Sequence, residues 1–125
     1  KRSRKQKGIL AFLAQDAKTR VFCYANADLD KETQNDEVLQ FVKFWKQRTG
    51  GYPQELIFDS KLTTYKNLDK LNALKIGFMT LRRRSKPMLA QIHKEPISAW
   101  RRIELQGVSR IYRHPKILDI GSNLD

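Results

Sequence analysis

Apolar residues near the start of the chain form two short runs on either side of a polar segment. Residues 9–14 (Ile-Leu-Ala-Phe-Leu-Ala) are too few for a helix, and residues 20–25 are rich in types that favour strands. Residues 15–19 between them are polar and suit a turn. The pattern therefore predicts an antiparallel hairpin.

A helical spacing of apolar residues follows. One predicted helix face carries Val38, Phe41, Val42 and Trp45. The polar and acidic residues 26–37 predict a connecting loop before this helix, and the segment from Thr33 to Asp36 within it resembles a helix-capping signature. Gly50 and Gly51 supply the left-handed backbone that commonly ends a helix. The pattern predicts one helix between these two signals.

Strand and helix patterns then alternate. Residues 55–58 predict a strand, Thr63 or Thr64 suits the cap of a second helix, and residues 77–81 predict a further strand. The predicted apolar face of the second helix consists of Tyr65, Leu68 and Leu71. This alternation predicts an α/β fold with at least a locally parallel sheet.

The composition changes from residue 82 onwards. Residues 82–116 contain ten Lys or Arg and two Glu. Ser85 and Pro87 suit the start of a short helix. Residues 100–105 and 108–113 flank a Gln-Gly pair, which predicts a second hairpin with a basic, aromatic surface.

The charge of the chain favours a polyanionic partner. Its 125 residues include 25 Lys or Arg and 13 Asp or Glu, for a formal net charge of +12. This balance is typical of proteins that bind nucleic acid rather than a small neutral ligand. The hydrophobic content of 40% is enough for one modest core.

Three features bear on location and completeness. A single cysteine, Cys23, allows no disulfide framework and favours the cytoplasm. No apolar run approaches the roughly 20 residues that a membrane span needs, so we expect no membrane partner. The chain begins without methionine on a basic run, residues 1–7, and we expect it to be a piece of a longer protein.

One carboxylate stands where α/β proteins commonly place functional groups. Asp59 directly follows the apolar residues 56–58, and functional groups gather just past the carboxyl ends of strands in open α/β sheets. The helix N-terminus that follows favours the ionised carboxylate. Three roles stay open for Asp59: binding a divalent metal, accepting a phosphoryl group, and capping its own loop.

Several other kinds of site find no support in the sequence. His93 and His114 have no Cys or His at ligand spacing, which argues against a zinc site. The chain contains neither a Gly-x-Ser-x-Gly elbow nor a Gly-rich phosphate loop, which argues against a serine triad and a nucleotide site.

Three stretches carry a resemblance to a known family. They are residues 24–29 (Tyr-Ala-Asn-Ala-Asp-Leu), 56–68 (Leu-Ile-Phe-Asp-Ser-Lys-Leu-Thr-Thr-Tyr-Lys-Asn-Leu) and 78–85 (Phe-Met-Thr-Leu-Arg-Arg-Arg-Ser). Through them the chain resembles the catalytic core of bacterial insertion-sequence transposases of the DDE type. The similarity covers roughly residues 4–118, and its most specific part is residues 55–84.

The resemblance implies a fold, a cofactor and a partner. Residues 1–84 would form part of a ribonuclease-H-like α/β core, a mixed sheet with helices. Residues 85–125 would form the basic, β-rich insertion that precedes the last catalytic helix. Such enzymes hold Mg²⁺ or Mn²⁺ with three acids and cut and rejoin DNA at the ends of the element. The resemblance also leaves room for a homodimer of the intact enzyme.

Only one of the three acids has a match in this chain. Asp59 matches the second acid, which the family places at the end of its fourth strand. The predicted hairpin corresponds to the second and third strands of the family, so the first acid would lie upstream of Lys1 and the third beyond Asp125. Asp16 is the alternative first acid, although it leaves one strand too few. Glu104 is a poor third acid because it stands in a predicted strand.

Basic residues of the second half are the predicted DNA contacts. They are Arg82, Arg83, Arg84, Lys86, Arg101, Arg102, Arg110, Arg113 and Lys116. Their alternation with Trp100 and Tyr112 is typical of surfaces that contact phosphates and stack on unpaired bases. Trp100 is equally suited to a small core under the hairpin.

The resemblance thus predicts a fragment of a DNA transposase. The intact enzyme would catalyse metal-dependent phosphodiester cleavage and strand transfer, and the fragment alone would be inactive. The alternative is a non-catalytic nucleic-acid-binding module, including a decayed transposase remnant that retains its charge. A third hypothesis makes Asp59 a phosphoacceptor, although no partner acid pair or suitably placed lysine is evident.

Overall fold

The computed structural model describes residues 8–81, 85–107 and 114–119. The chain divides into two compact units, Lys1–Arg82 and Arg83–Asp125, and its elements combine helices with short strands in a mixed α/β arrangement. Within the described ranges, none of the helices has the length and apolar character needed to cross a membrane.

The first unit opens with the predicted hairpin, which is confirmed. Strand β1 (Leu10–Gln15) pairs antiparallel with β2 (Phe22–Leu29). In the turn, the Asp16 backbone N–H donates to the Val21 carbonyl at 2.9 Å. Arg20 takes the left-handed conformation there, with φ of 60°. The second strand runs four residues further than the pattern predicts, so that it carries the chain to the next helix.

Helix α1 (Glu37–Thr49) follows the hairpin and ends as predicted. Gly50 has φ of 79°, and its N–H donates to the Lys46 carbonyl at 2.9 Å, which completes the helix end. The predicted capping signature at its start is wrong. The Thr33 hydroxyl oxygen instead accepts from the Asp30 N–H at 3.3 Å, and the Asp36 N–H donates to the Thr33 backbone carbonyl at 3.0 Å.

The core of this half is an aromatic cluster between the hairpin and α1. The ring of Tyr24 lies 5.8 Å from Phe12, 5.6 Å from Phe41 and 5.0 Å from Phe44, measured between ring centroids. Phe12 and Phe41 are buried, and the rings meet at steep angles, the geometry that aromatic pairs prefer. The apolar face of α1 therefore packs on the inner face of the hairpin.

A buried carboxylate sits beside this cluster. Glu37 is 3% exposed, and its Oε1 accepts hydrogen bonds from the Tyr24 hydroxyl at 2.6 Å and the Asn26 side-chain amide at 2.9 Å. Burial, and next the bond to Glu37, raise the pKa of Tyr24 to about 12. The first residue of α1 is thus bonded directly to β2.

The second half of the unit is a strand, a helix and a strand. Strand β3 (Glu55–Phe58) pairs in parallel with β4 (Gly77–Thr80), and α2 (Tyr65–Ala73) connects them. The predicted strands, the Thr64 cap and the parallel pairing are confirmed. Of the predicted helix face, Leu68 and Leu71 are buried, whereas Tyr65 lies at the first turn and is exposed.

The strands do not join into one mixed sheet in the described part of the chain. They form three two-stranded sheets, and β1–β2 is not hydrogen-bonded to β3–β4. Asn67 supplies a link between the two halves of the first unit. Its side-chain amide donates to the Asn35 carbonyl at 2.9 Å and to Asp36 Oδ1 at 2.8 Å. At 5% exposure, this amide is shielded from competing water.

The described residues of the second unit include one α-helix and one short strand pair. Helix α3 (Lys86–Lys94) begins as predicted, with Pro87 in its first turn and the Ser85 hydroxyl accepting from the Met88 N–H at 3.3 Å. Strand β5 (Trp100–Arg102) pairs antiparallel with β6 (Lys116–Leu118).

This pairing was not predicted from the sequence. The expected partner in the second hairpin, residues 108–113, lies outside the described residues, so that hairpin stays a prediction. The first strand also ends at Arg102 rather than at residue 105. The Ile103 N–H donates to the Pro115 carbonyl at 3.1 Å, but proline has no N–H to return, so the ladder stops there.

The Asn67 link leads to a stability prediction. We expect Asn67→Ala to lower the free energy of unfolding by about 1–3 kcal/mol, because two acceptors lose their donor. Asn72→Ala is the matched control, since it makes the same change at an exposed position of α2. Urea denaturation measures both variants. An equal effect of the two would contradict the role of Asn67.

A second prediction concerns alkaline pH. The pKa of Tyr24 rises from 10.0 to about 12 on folding, so its stabilising contribution is complete below pH 10 and is lost as the pH approaches 12. We expect the difference in unfolding free energy between the wild type and Tyr24→Phe to narrow across this window. In a titration followed by tyrosinate absorbance, the transition near pH 12 that belongs to Tyr24 should be absent from the variant. A difference that stays constant with pH would contradict this expectation.

Candidate functional site

The candidate site lies at the carboxyl end of β3. Asp59 follows the last residue of that strand and begins a short 3-10 turn, Ser60–Leu62. Its Oδ1 accepts from the Lys61 N–H at 2.9 Å, so the side chain caps its own loop. The side chain is exposed, and its hydrogen bonds with described residues are made through Oδ1. Of the three roles that the sequence left open, the cap is present.

Parallel pairing brings the end of β4 to the same edge of the sheet. Phe58 is opposite Thr80, so the chain leaves both strands side by side, at Asp59 and Leu81. The Thr80 hydroxyl oxygen is buried and has no hydrogen-bond partner among the described residues. Sequence reasoning did not single out Thr80, because a threonine in a strand is ordinarily a strand former.

The described residues do not fit a complete metal site. Nowhere in residues 8–81, 85–107 and 114–119 do three His, Cys, Asp or Glu side chains come close enough to hold a metal ion. Asp59 offers one carboxylate, and one of its oxygens already accepts a backbone N–H. Two divalent ions need several acidic ligands, so no catalytic step can be assigned to this edge alone.

Asp16, the alternative first acid, has a structural role in the hairpin turn. Its Oδ1 accepts from the Thr19 N–H at 2.6 Å, the Thr19 hydroxyl at 2.7 Å and the Lys18 N–H at 3.1 Å. These bonds, the Thr19 backbone bond first, lower the pKa of the Asp16 carboxyl. Glu104, the weak candidate for a third acid, lies beyond the end of β5 and not in the strand that the sequence predicts. Its side chain is exposed.

Four of the predicted DNA contacts lie in the described part of the second unit. Lys86, Arg101, Arg102 and Lys116 are all exposed. The remaining five lie outside the described residues and are Arg82, Arg83, Arg84, Arg110 and Arg113.

The β5–β6 ladder brings two of these cations together. Arg102 is directly opposite Lys116, and Trp100 is opposite Leu118 two residues away on the same face. Arg101 points to the other face, opposite Ile117. Like charges directly opposite each other destabilise a strand pair, and a phosphate between them would offset that cost. Trp100 and Leu118, both half-buried, are opposite each other beside this pair.

Comparisons of the chain with protein-family models, with curated proteins and with solved structures found no match.

Two substitutions separate the contribution of the Asp59 cap to stability from that of its charge. We expect Asp59→Ala to lower the free energy of unfolding by about 0.5–2 kcal/mol, because the Lys61 N–H loses its acceptor. Asp59→Asn keeps an Oδ1 acceptor and removes the charge, so we expect it to stay close to the wild type. Urea denaturation at constant pH gives both values. An equal loss in the two variants would indicate that the charge, rather than the cap, stabilises the loop.

Proposed function

We propose that this chain is part of the catalytic core of a DDE-type DNA transposase with a ribonuclease-H-like fold. The observation that carries the proposal is the position of Asp59, exposed at the carboxyl end of a strand in a parallel strand–helix–strand unit. Functional groups of open α/β sheets gather at this kind of edge. The resemblance of the sequence around Asp59 to the second acid of these enzymes supports the same assignment.

The separation of the two sheets in the first unit also supports the proposal. Among the described residues, β1 is hydrogen-bonded only to β2, and β3 only to β4, so each has one open edge. A ribonuclease-H-like core has a central strand that bears the first acid, and the resemblance leaves that strand unmatched here. A central strand would supply backbone partners to open edges of this kind.

The exposed face of the β3–β4 pair, which carries Ile57 and Met79, also supports the proposal. Ile57 is 71% exposed and Met79 is 61% exposed, although both lie in strands. Parallel sheets are ordinarily covered on both faces, because helices lie on each side of them. An apolar outer face is therefore what a larger α/β core would cover.

In the intact enzyme, three acids would hold Mg²⁺ or Mn²⁺, and Asp59 is the one that this chain supplies. The basic residues of the second unit would bind DNA, with Arg102 and Lys116 together on one phosphate. This activity is proposed for the cytoplasm, and a homodimer of the intact enzyme is compatible with it. The chain alone would bind DNA without cutting it.

The second candidate is a non-catalytic nucleic-acid-binding module. Two observations favour it. The described residues contain no group of three metal-ligating side chains, and the chain carries a net charge of +12. The two candidates differ in the coding frame that surrounds these residues. An upstream aspartate in a strand pattern and a downstream glutamate in a helix pattern would support the transposase. Their absence from the frame would support the binding module.

The DNA contact of the second unit can be tested by salt dependence. We expect Arg102→Ala and Lys116→Ala each to weaken DNA binding and to reduce the slope of log K against log salt by up to about 0.9. Lys18→Ala is the matched control, because it removes an exposed cation from the hairpin turn of the first unit. Fluorescence anisotropy on a short duplex measures all three. Equal slopes in the three variants would exclude the ladder as the contact.

The catalytic part of the proposal has its own test. With Mg²⁺ or Mn²⁺, we expect no nicking of supercoiled DNA by this chain and nicking by the product of the full coding frame. Asp59→Asn in that longer product should abolish nicking and preserve DNA binding, because the cap remains while the metal ligand weakens. Activity of the longer product that survives Asp59→Asn would refute the role of Asp59.

A further inference from the structure

An apolar groove lies on the first unit, away from the edge that carries Asp59. It has a volume of about 450 Å³ and runs between α1 and α2, with Tyr52 from the loop after α1 also in its wall. Apolar side chains line it at Leu39, Val42 and Leu74. Val42 is almost fully buried, whereas Leu74 is 36% exposed, so the groove descends from the surface to the core. Its volume is within the range of ligand-binding pockets.

The charges along this groove have one sign. Lys43, Lys46 and Lys70 line it, and none of the described residues that line it is acidic. The Lys46 ammonium lies 4.6 Å from the centre of the Tyr52 ring, a cation–π contact that orients this lysine. All three lysines are exposed. An occupant with negative charge beside an apolar surface would therefore complement the groove.

The spacing along α1 indicates the shape of that occupant. Leu39, Val42, Lys43 and Lys46 stand at positions i, i+3, i+4 and i+7, so the groove follows two turns of the helix, roughly 10 Å. Grooves between helices accept amphipathic helices, which present anchors at the same spacing. We propose that this groove binds an amphipathic helix of a protein partner in which Asp or Glu flanks the apolar face.

Two other occupants fit the groove less well. A fatty acid would complement the charge, but Tyr52 and Leu74 in the wall are 42% and 36% exposed, so the groove is open to solvent beside them. DNA would also complement the charge, but its sugar-phosphate backbone has no large apolar surface for Leu39, Val42 and Leu74. A helix offers apolar side chains and flanking carboxylates together, and it can seal an open groove.

The test uses a designed probe peptide and the whole 125-residue chain. The fluorescein-labelled peptide has about 16 residues, with Leu on one helical face and Glu on its flanks. A scrambled peptide of identical composition has no apolar face, and a third peptide carries Lys in place of Glu. We expect anisotropy to detect binding of the first peptide and at least about tenfold weaker binding of the other two.

A pair of triple variants assigns the binding to the groove. We expect Lys43→Glu, Lys46→Glu and Lys70→Glu together to weaken binding of the acidic peptide by at least about tenfold. The control combines Lys18→Glu, Lys31→Glu and Lys66→Glu, which change the net charge equally at exposed positions outside the groove. Circular dichroism confirms the folding of both. Leu74→Asp provides an independent loss of the apolar contact.

Five results would overturn the proposal. The first four are equal binding of the scrambled peptide, equal weakening by the two triple variants, no binding at about 1 mM peptide, and groove-dependent binding of oleate without binding of the peptide. DNA that competes with the peptide only in the wild type and the control triple would instead assign the groove to nucleic acid and would likewise overturn it. None of these results depends on catalysis, so this proposal and the transposase proposal can fail separately.

Discussion

The first unit depends on the side-chain amide of Asn67. Its two sheets share no hydrogen bonds among the described residues, so the halves must be held by other contacts. The aromatic cluster packs α1 against the hairpin. The Asn67 amide of α2 hydrogen-bonds to the two residues that precede α1, Asn35 and Asp36. Because this amide is buried and both its donors are used, it specifies one position of α2 against the start of α1.

Elements that depend on neighbouring residues could be predicted from the sequence. Strand β3, the Gly50 helix end and the caps at Thr64 and Ser85 each follow from a few adjacent residues, and the structure confirms them. The Thr33 cap could not be predicted correctly, because the Asp30 N–H, rather than a helix N–H, donates to its hydroxyl oxygen. The sequence signals a capping hydroxyl, but it does not rank the local donors that compete for that oxygen.

Contacts between distant segments were beyond the sequence pattern. The pairing of β5 with β6 joins residues well apart in the chain, and its end is set by Pro115, which a local pattern around Arg102 cannot reveal. The same distinction between local and long-range features applies to the candidate site and the candidate DNA contacts. The position of Asp59 after a strand was predictable, whereas the buried Thr80 hydroxyl and the pairing of Arg102 with Lys116 depend on strand register.

The facing cations of the second unit have a thermodynamic consequence. Arg102 and Lys116 repel each other across a ladder of only three residue pairs, so the free ladder is electrostatically frustrated. An anion that bridges them relieves the repulsion and orders the two strands at once. Part of the binding free energy would then stabilise the strand pair, and β5 and β6 would be most ordered with the anion bound.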